Sequence, residues 1–117
     1  MDVGVIGVGA MGRNHVRVYS ELKGVDTVYV YDPVPESAER MKEFATVCKT
    51  QEELLSKAEA VSICVPTRYH FETAKKVINA GTDCLIEKPI TLTVDEGARL
   101  LELAQGKDIT VGVGHIE

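Results

Sequence analysis

The sequence has no excess of basic residues. Its 117 residues include 13 lysines and arginines against 18 aspartates and glutamates, which gives a formal charge of −5. A nucleic-acid-binding protein needs a cationic surface to neutralise phosphates. The composition therefore argues against a nucleic-acid partner.

Long apolar runs are also missing. The longest apolar stretches span only a few residues, whereas a helix needs about 20 to cross a membrane. Near the N-terminus, no positively charged segment precedes an apolar one, which disfavours a signal peptide. We therefore expect a cytoplasmic protein with no membrane partner.

Cysteine is scarce and scattered. Cys48, Cys64 and Cys84 form no Cys-x-x-Cys pair, and the last two lie within short apolar runs. Metal and redox sites commonly use closely spaced cysteines. We expect buried thiols that act as small hydrophobic side chains in a reducing compartment, and no metal site.

Repeats, low-complexity tracts and linkers are absent as well, so residues 1–117 are expected to form one domain. Short β-branched runs alternate with longer amphipathic segments. This alternation predicts right-handed crossovers and a Rossmann-type doubly wound α/β fold, with a parallel sheet of about six strands in the order 3-2-1-4-5-6 and helices on both faces. The predicted strands are 3–8, 27–31, 46–48, 60–65, 83–87 and 110–113, and the predicted helices are 12–22, 35–44, a short one from 51, 71–80 and 93–105.

Local signals mark the ends of these helices. Thr50 with Glu53, and Thr93 with Glu96, have the spacing of capping boxes, in which each side chain bonds to a backbone amide at the start of a helix. Glycines at the other ends can adopt the left-handed conformation that often terminates a helix. The glycines so placed are Gly24, Gly81 and Gly106.

A glycine-rich turn follows the first predicted strand and opens the first predicted helix. Its three glycines suit a tight turn, a close approach of the backbone to a pyrophosphate, and close contact between helix and strand. Backbone amides at the helix start would face the phosphates. The predicted dinucleotide-binding residues are Gly7, Val8, Gly9, Ala10, Met11 and Gly12; a purely structural glycine turn is the alternative.

An acidic residue ends the second predicted strand. Asp32 lies twenty residues after Gly12, where a carboxylate can accept hydrogen bonds from the adenosine ribose. It would repel a 2′-phosphate, and no arginine stands beside it. We therefore expect NAD as the cofactor rather than NADP, although Asp32 could instead only open the turn at Pro33.

The fourth and fifth strands also end in residues that suit a ligand site. Pro66 turns the chain out of the sheet after the fourth strand, and His70 follows, either to contact the nicotinamide end of a cofactor or to begin the next helix. The fifth strand ends in Glu87-Lys88-Pro89. Pro89 holds Lys88 extended, where it could assist proton transfer or simply be solvated.

Taken together, these motifs resemble the glucose–fructose oxidoreductase/inositol dehydrogenase (Gfo/Idh/MocA) family over essentially the whole chain. The resemblance rests on residues 7–15, Asp32, the 66–70 loop and Glu87-Lys88-Pro89. It implies that Lys88 is catalytic and close to both nicotinamide and substrate, that Glu87 fixes its loop, and that Pro66, Thr67 and His70 line the cofactor. It also implies hydride transfer between nicotinamide and a hydroxyl carbon of a sugar, cyclitol or sugar nucleotide.

Within the family, residues 112–117 are similar to those of UDP-N-acetylglucosamine 3-dehydrogenases. The family's second domain, with its acid/base histidine, is missing from the 117 residues, and His15 and His115 are expected to be structural. We therefore expect NAD(H) binding without turnover by the chain alone, and self-association through 109–116 where the second domain would pack. A non-enzymatic nucleotide sensor is the main alternative. A methyltransferase fits less well, because Gly12 suits a pyrophosphate.

Overall fold

The structure is a computed structural model that describes residues 1–65, 69–87, 94–105 and 111–114. Six strands and five helices alternate along these residues. The strands are β1 Asp2–Ile6, β2 Thr27–Tyr31, β3 Thr46–Val47, β4 Ala60–Ile63, β5 Asp83–Glu87 and β6 Val111–Gly114, and the helices are α1 Ala10–Glu21, α2 Pro35–Glu39, α3 Gln51–Lys57, α4 His70–Asn79 and α5 Val94–Ala104.

All six strands join one parallel sheet in the order β3-β2-β1-β4-β5-β6. The predicted fold class and strand order are confirmed. The order reverses between β1 and β4, which are neighbours in the sheet although two strands and three helices separate them in the chain. In doubly wound sheets the ligand binds beyond the carboxyl ends of the strands at this reversal.

Two apolar clusters cover the two faces of the sheet. On one face Val5 and Val30 pack with Val16 of α1 and with residues of the α2 region. On the other face Ile6 and Ile63 pack with residues of α3, α4 and α5. Burial of both faces explains why the strands show no strict alternation of apolar and polar residues.

The second helix is shorter than the predicted 35–44. After Glu39 several backbone hydrogen bonds span three residues instead of the four of an α-helix. The amide of Met41, for example, donates to the carbonyl of Ala38 at 3.0 Å. Met41 nevertheless remains buried in the cluster, as its place in the apolar stripe predicts. The apolar pattern was correct, but the side chain reaches the core from a turn rather than from a regular helix.

Three glycines were predicted to end helices, and the structure confirms this for one of them. Gly81 follows the end of α4 with a φ of +75°, and its amide donates to the carbonyl of Ile78 at 2.9 Å, so that prediction is confirmed. The prediction for Gly24 is wrong, because Leu22 leaves α1 in an extended conformation before Gly24 is reached. Gly106 lies outside the described residues.

None of the described helices carries an apolar segment long enough to cross a bilayer.

Candidate functional site

The candidate site lies where β1, β2 and β4 end together. The register pairs Ile6 with Tyr31 on one side and with Ile63 on the other. Their carboxyl ends therefore meet at one edge, and Gly7, Asp32 and Cys64 follow them there. Strands β1 and β4 both end two residues before their predicted ends. The chain leaves β1 early because Gly7 has a φ of +93°, which interrupts the extended backbone.

Gly7 holds a position that has no room for a side chain. Its amide donates to the carbonyl of Tyr31 at 2.8 Å. A Cβ added to it would lie 2.8 Å from the backbone of both Cys64 and Val65. Because φ is positive and the nearby atoms belong to the backbone, only glycine fits here without strain.

Gly12 allows α1 to start against this turn. A Cβ at Gly12 would lie 1.9 Å from the carbonyl oxygen of Gly7, which is closer than any non-bonded contact. The first and third glycines of the motif therefore have steric roles within the fold.

Gly9 differs, because it faces open space. A Cβ built on it would meet no heavy atom of the described residues within 4 Å, apart from its chain neighbours. Gly9 is also the N-cap of α1, and its carbonyl accepts the amide of Arg13 at 2.9 Å. The first amides of a helix have no acceptor within that helix, and its N-terminal end carries partial positive charge. The first turn of α1 contains no acidic side chain, so this end of the helix is suited to an external anion.

Asp32 connects the end of β2 to this glycine turn. One of its oxygens accepts the amide of Val8 at 2.8 Å, and the other accepts the amide of Val34 at 2.8 Å. The second bond is the local turn that sequence reasoning gave as the alternative. The first ties the carboxylate to the motif beside it. A carboxylate has about four acceptor positions, so two amides leave capacity for ribose hydroxyls.

His70 is the first residue of α4, and its side chain is only 2% exposed. Its Nε2 lies 2.9 Å from the carbonyl oxygen of Val65. Of the two interpretations left open, the structure shows the start of the helix. It also adds a contact with Val65, just beyond the end of β4, that the sequence did not indicate.

The fifth strand brings Glu87 to the same edge, paired with Gly114 of β6. The predicted catalytic residue Lys88 lies outside the described residues, as do Pro66, Thr67 and His115. The other predicted structural histidine, His15, is 1% exposed and packs edge-on against Tyr19, with ring centroids 6.0 Å apart.

The cysteines have the character expected of apolar residues. Cys48 and Cys84 are buried, Cys64 is partly buried, and the three are thiols rather than disulfides. Burial raises the pKa of the Cys84 thiol to about 12, and burial also raises the pKa of Cys48. Neither thiol forms an appreciable amount of thiolate near neutral pH. Among the described residues, no group of three or more potential ligand side chains is arranged for a metal ion.

Sequence reasoning missed two backbone groups at this edge, the amide of Val34 and the carbonyl of Val65. No sequence signal could have identified them, since almost every residue carries both groups. Their partners Asp32 and His70 were identified from their places at the end of the second strand, twenty residues after Gly12, and in the segment that follows Pro66.

Comparison with known proteins agrees with this geometry. A family described as an oxidoreductase family with an NAD-binding Rossmann fold, Gfo/Idh/MocA, matches residues 1–115. UDP-N-acetylglucosamine 3-dehydrogenase of Acidithiobacillus ferrooxidans is 38% identical over the whole chain, which covers 37% of that protein. Inositol 2-dehydrogenase of Corynebacterium glutamicum is 30% identical over 92% of the chain and 34% of that protein.

Solved structures give the same fold. The A. ferrooxidans UDP-N-acetylglucosamine 3-dehydrogenase GnnA superposes with a TM-score of 0.88 at 37% identity, covering 98% of this chain and 38% of that one. GenD2 from gentamicin A biosynthesis, solved in complex with NAD, has a TM-score of 0.85 at 29% identity and covers 97% and 34%. The chain thus spans little more than a third of the length of these relatives.

Proposed function

The chain belongs to the Gfo/Idh/MocA oxidoreductase family, and we propose that it binds NAD(H) as the dinucleotide-binding part of a dehydrogenase. The observation that carries the proposal is the open space at Gly9, at the start of α1 and close to the Asp32 carboxylate that bonds to Val8. An anion bound there meets helix amides, and a ribose beside it meets a carboxylate. A dinucleotide such as NAD has both groups, since its pyrophosphate is the anion and its adenosine carries the ribose.

The residues that we propose for the cofactor fall into three groups. The glycine turn and the first turn of α1 would take the pyrophosphate, Asp32 would take the adenosine ribose, and the loops after β4 and β5 would flank the nicotinamide. The cofactor residues proposed are Gly7, Val8, Gly9, Ala10, Met11, Gly12, Asp32, Pro66, Thr67, Glu87 and Lys88. His70, which is 2% exposed at the start of α4, would support the loop after β4 rather than contact the cofactor.

We propose that the reaction moves a hydride between the nicotinamide and a hydroxyl carbon of a sugar, cyclitol or sugar nucleotide. The names of the relatives support this class, since they include dehydrogenases of UDP-N-acetylglucosamine, inositol and glucose 6-phosphate. When bound, NAD supplies the hydride acceptor. Lys88 would orient the reacting hydroxyl and assist transfer of its proton. Glu87, which precedes Lys88 in the sequence, ends β5 at the same edge of the sheet as β4.

Turnover needs a substrate-holding part in addition to the cofactor-binding residues proposed above. Substrate must be held about 3–3.5 Å from the nicotinamide, and the chain spans 37% of its UDP-N-acetylglucosamine relative. We propose that a substrate-holding domain outside these 117 positions completes the enzyme, and that the chain assayed alone binds cofactor without turnover. Cysteines present as thiols rather than disulfides suit a reducing compartment, and we propose the cytoplasm.

The test of cofactor binding is calorimetric titration with NADH and NADPH. We expect NADH to bind more tightly, because Asp32 accepts the ribose hydroxyls and repels a 2′-phosphate. The D32A variant should bind NADH about ten- to a hundredfold more weakly than wild type does. The difference between its affinities for NADH and NADPH should be smaller than in wild type.

The matched control is D26A, which removes the same charge at the amino end of β2, where Asp26 pairs with the N-terminal amine. It should keep the wild-type preference. NADPH binding as tight as NADH binding would refute the proposed role of Asp32, and absence of binding to either would refute the proposed function.

A further inference from the structure

We infer that His70 is a positioning residue, which fixes the chain just beyond β4, at Val65, against the glycine turn and thereby supports binding of the nicotinamide half of the dinucleotide. The inference rests on the proposed NAD(H) binding. A side chain that is 2% exposed cannot present much surface to a ligand. It therefore acts through what it holds, and it holds the carbonyl of Val65 at 2.9 Å.

The backbone of Val65 makes contacts through both its amide nitrogen and its carbonyl oxygen. Its amide nitrogen would lie 2.8 Å from a Cβ at Gly7, so its backbone packs directly on the first glycine of the motif. Its carbonyl faces the His70 imidazole. The amide of Cys64, one residue earlier, donates to the carbonyl of Ile6 at 2.8 Å. Any movement of the chain at Val65 therefore disturbs the packing around Gly7.

The hydrogen bond orients the ring. A carbonyl oxygen can only accept, so Nε2 is the nitrogen that donates to Val65. Nδ1 is buried and has no hydrogen-bond partner among the residues that the structure describes. An apolar side chain of similar size would fill this space without a buried unpaired nitrogen. The benefit of histidine here is the bond to Val65.

The strand order indicates which half of the ligand depends on this bond. Asp32 and β2 lie on one side of β1, and β4 with Val65 lies on the other. In a doubly wound sheet the two halves of a dinucleotide bind on either side of the reversal. Since Asp32 is proposed for the adenosine half, loosening Val65 should affect the nicotinamide half.

The experiment compares NADH with ADP, which lacks the nicotinamide half, on variants of the 117-residue chain. H70L should weaken NADH binding about tenfold while changing ADP binding less than about twofold. H70Q, whose amide nitrogen can donate over a similar reach, should recover most of the NADH affinity. I78V is the matched control, because it trims a fully buried side chain near the far end of α4. It should lower the melting temperature without changing NADH binding.

A measurement without ligand separates the inference from the proposed function. Hydrogen exchange at the backbone amides of residues 64 and 65 should become faster in H70L but not in I78V. Unchanged exchange there, or equal losses of NADH and ADP affinity in H70L, would overturn the inference. A wild-type chain that binds neither ligand would refute the proposed function instead. If H70L does not fold, H70N replaces it, because the shorter amide cannot reach the Val65 carbonyl.

Discussion

At the scale of single residues, the three glycines of one motif are required for different physical reasons. Gly7 is required by its positive φ and by the backbone of Val65, and Gly12 by the carbonyl of Gly7. Gly9 is not required by the fold at all, since a Cβ there would enter open space. The sequence pattern treats the three alike, but substitution should separate them.

Alanine at Gly9 and at Gly12 should therefore give opposite results. G9A should leave the free energy of unfolding within about 0.5 kcal/mol of wild type, because its φ of −72° suits any residue. It should weaken NADH binding about tenfold or more, because the methyl group occupies the space proposed for the pyrophosphate. G12A should cost about 3 kcal/mol of stability, because the new Cβ meets backbone that cannot move aside.

Thermal or urea unfolding together with NADH titration checks both variants. G12A provides the control for G9A, since it tests whether any added methyl group in the motif destabilises the chain. A G9A variant that unfolds as easily as G12A, or that binds NADH as well as wild type does, would contradict the assignment of Gly9 to the ligand.

At the scale of elements, α3 shows how local chemistry starts a helix. Thr50 accepts the amide of Glu53 at 3.0 Å, and Glu53 accepts the amide of Lys49 at 2.8 Å, so the predicted capping box is present with its second bond one residue earlier than usual. Lys57 lies 3.2 Å from the other oxygen of Glu53. Helix α2 shows the opposite case, because it ends at Glu39 although the apolar pattern predicts a helix to residue 44, and Met41 packs in the cluster from beyond its end.

Removing the N-cap of α3 should lower the free energy of unfolding by about 1 kcal/mol. T50A leaves the Glu53 amide without its acceptor, and substitutions of this kind typically cost that much. T50S keeps the hydroxyl and should retain wild-type stability. Urea unfolding of the two variants decides between these results, and equal destabilisation by both would show that the threonine methyl group, rather than the hydroxyl, is what matters.

The carboxylate of this box should make stability depend on pH. The Lys49 amide, followed by Lys57, holds the pKa of Glu53 below its ordinary value. A lowered pKa means that the stabilisation is present above the unfolded-state pKa and is lost as pH falls through the folded-state pKa. E53Q should therefore be less stable than wild type near pH 7, and the difference should shrink below about pH 4. A difference that grows on acidification would contradict this.

At the scale of the whole molecule, the two edges of the sheet differ. The β3 edge has only two residues, whereas β6 has four and pairs with β5 on one side. An exposed strand edge can pair with another chain. The expected self-association through 109–116 is untested and stays a prediction, although β6 lies within that region.

Sedimentation at several concentrations tests it. We expect the 117-residue chain to associate as its concentration rises, and V113E to reduce that association. The control is V18E, which places the same charge on an exposed apolar position of α1, a helix that packs near β1, β2 and β4. A monomer at every concentration, or an assembly that V113E leaves unchanged, would show that β6 is not the contact.

The sequence by itself determined the succession of strands and helices, the six-stranded order and the positions of the glycine turn and Asp32. The strand order follows from the doubly wound topology that alternating strands and helices favour. The rest follows from local requirements: apolar periodicity, capping pairs such as Thr50 with Glu53, and a glycine at the positive φ of Gly7. The tertiary structure decided which partners those residues have. Asp32 bonds to an amide 24 positions away, and the backbone of Cys64 and Val65 packs directly on Gly7. Only the sheet register brings such groups together, because a backbone amide or carbonyl carries no mark in the sequence.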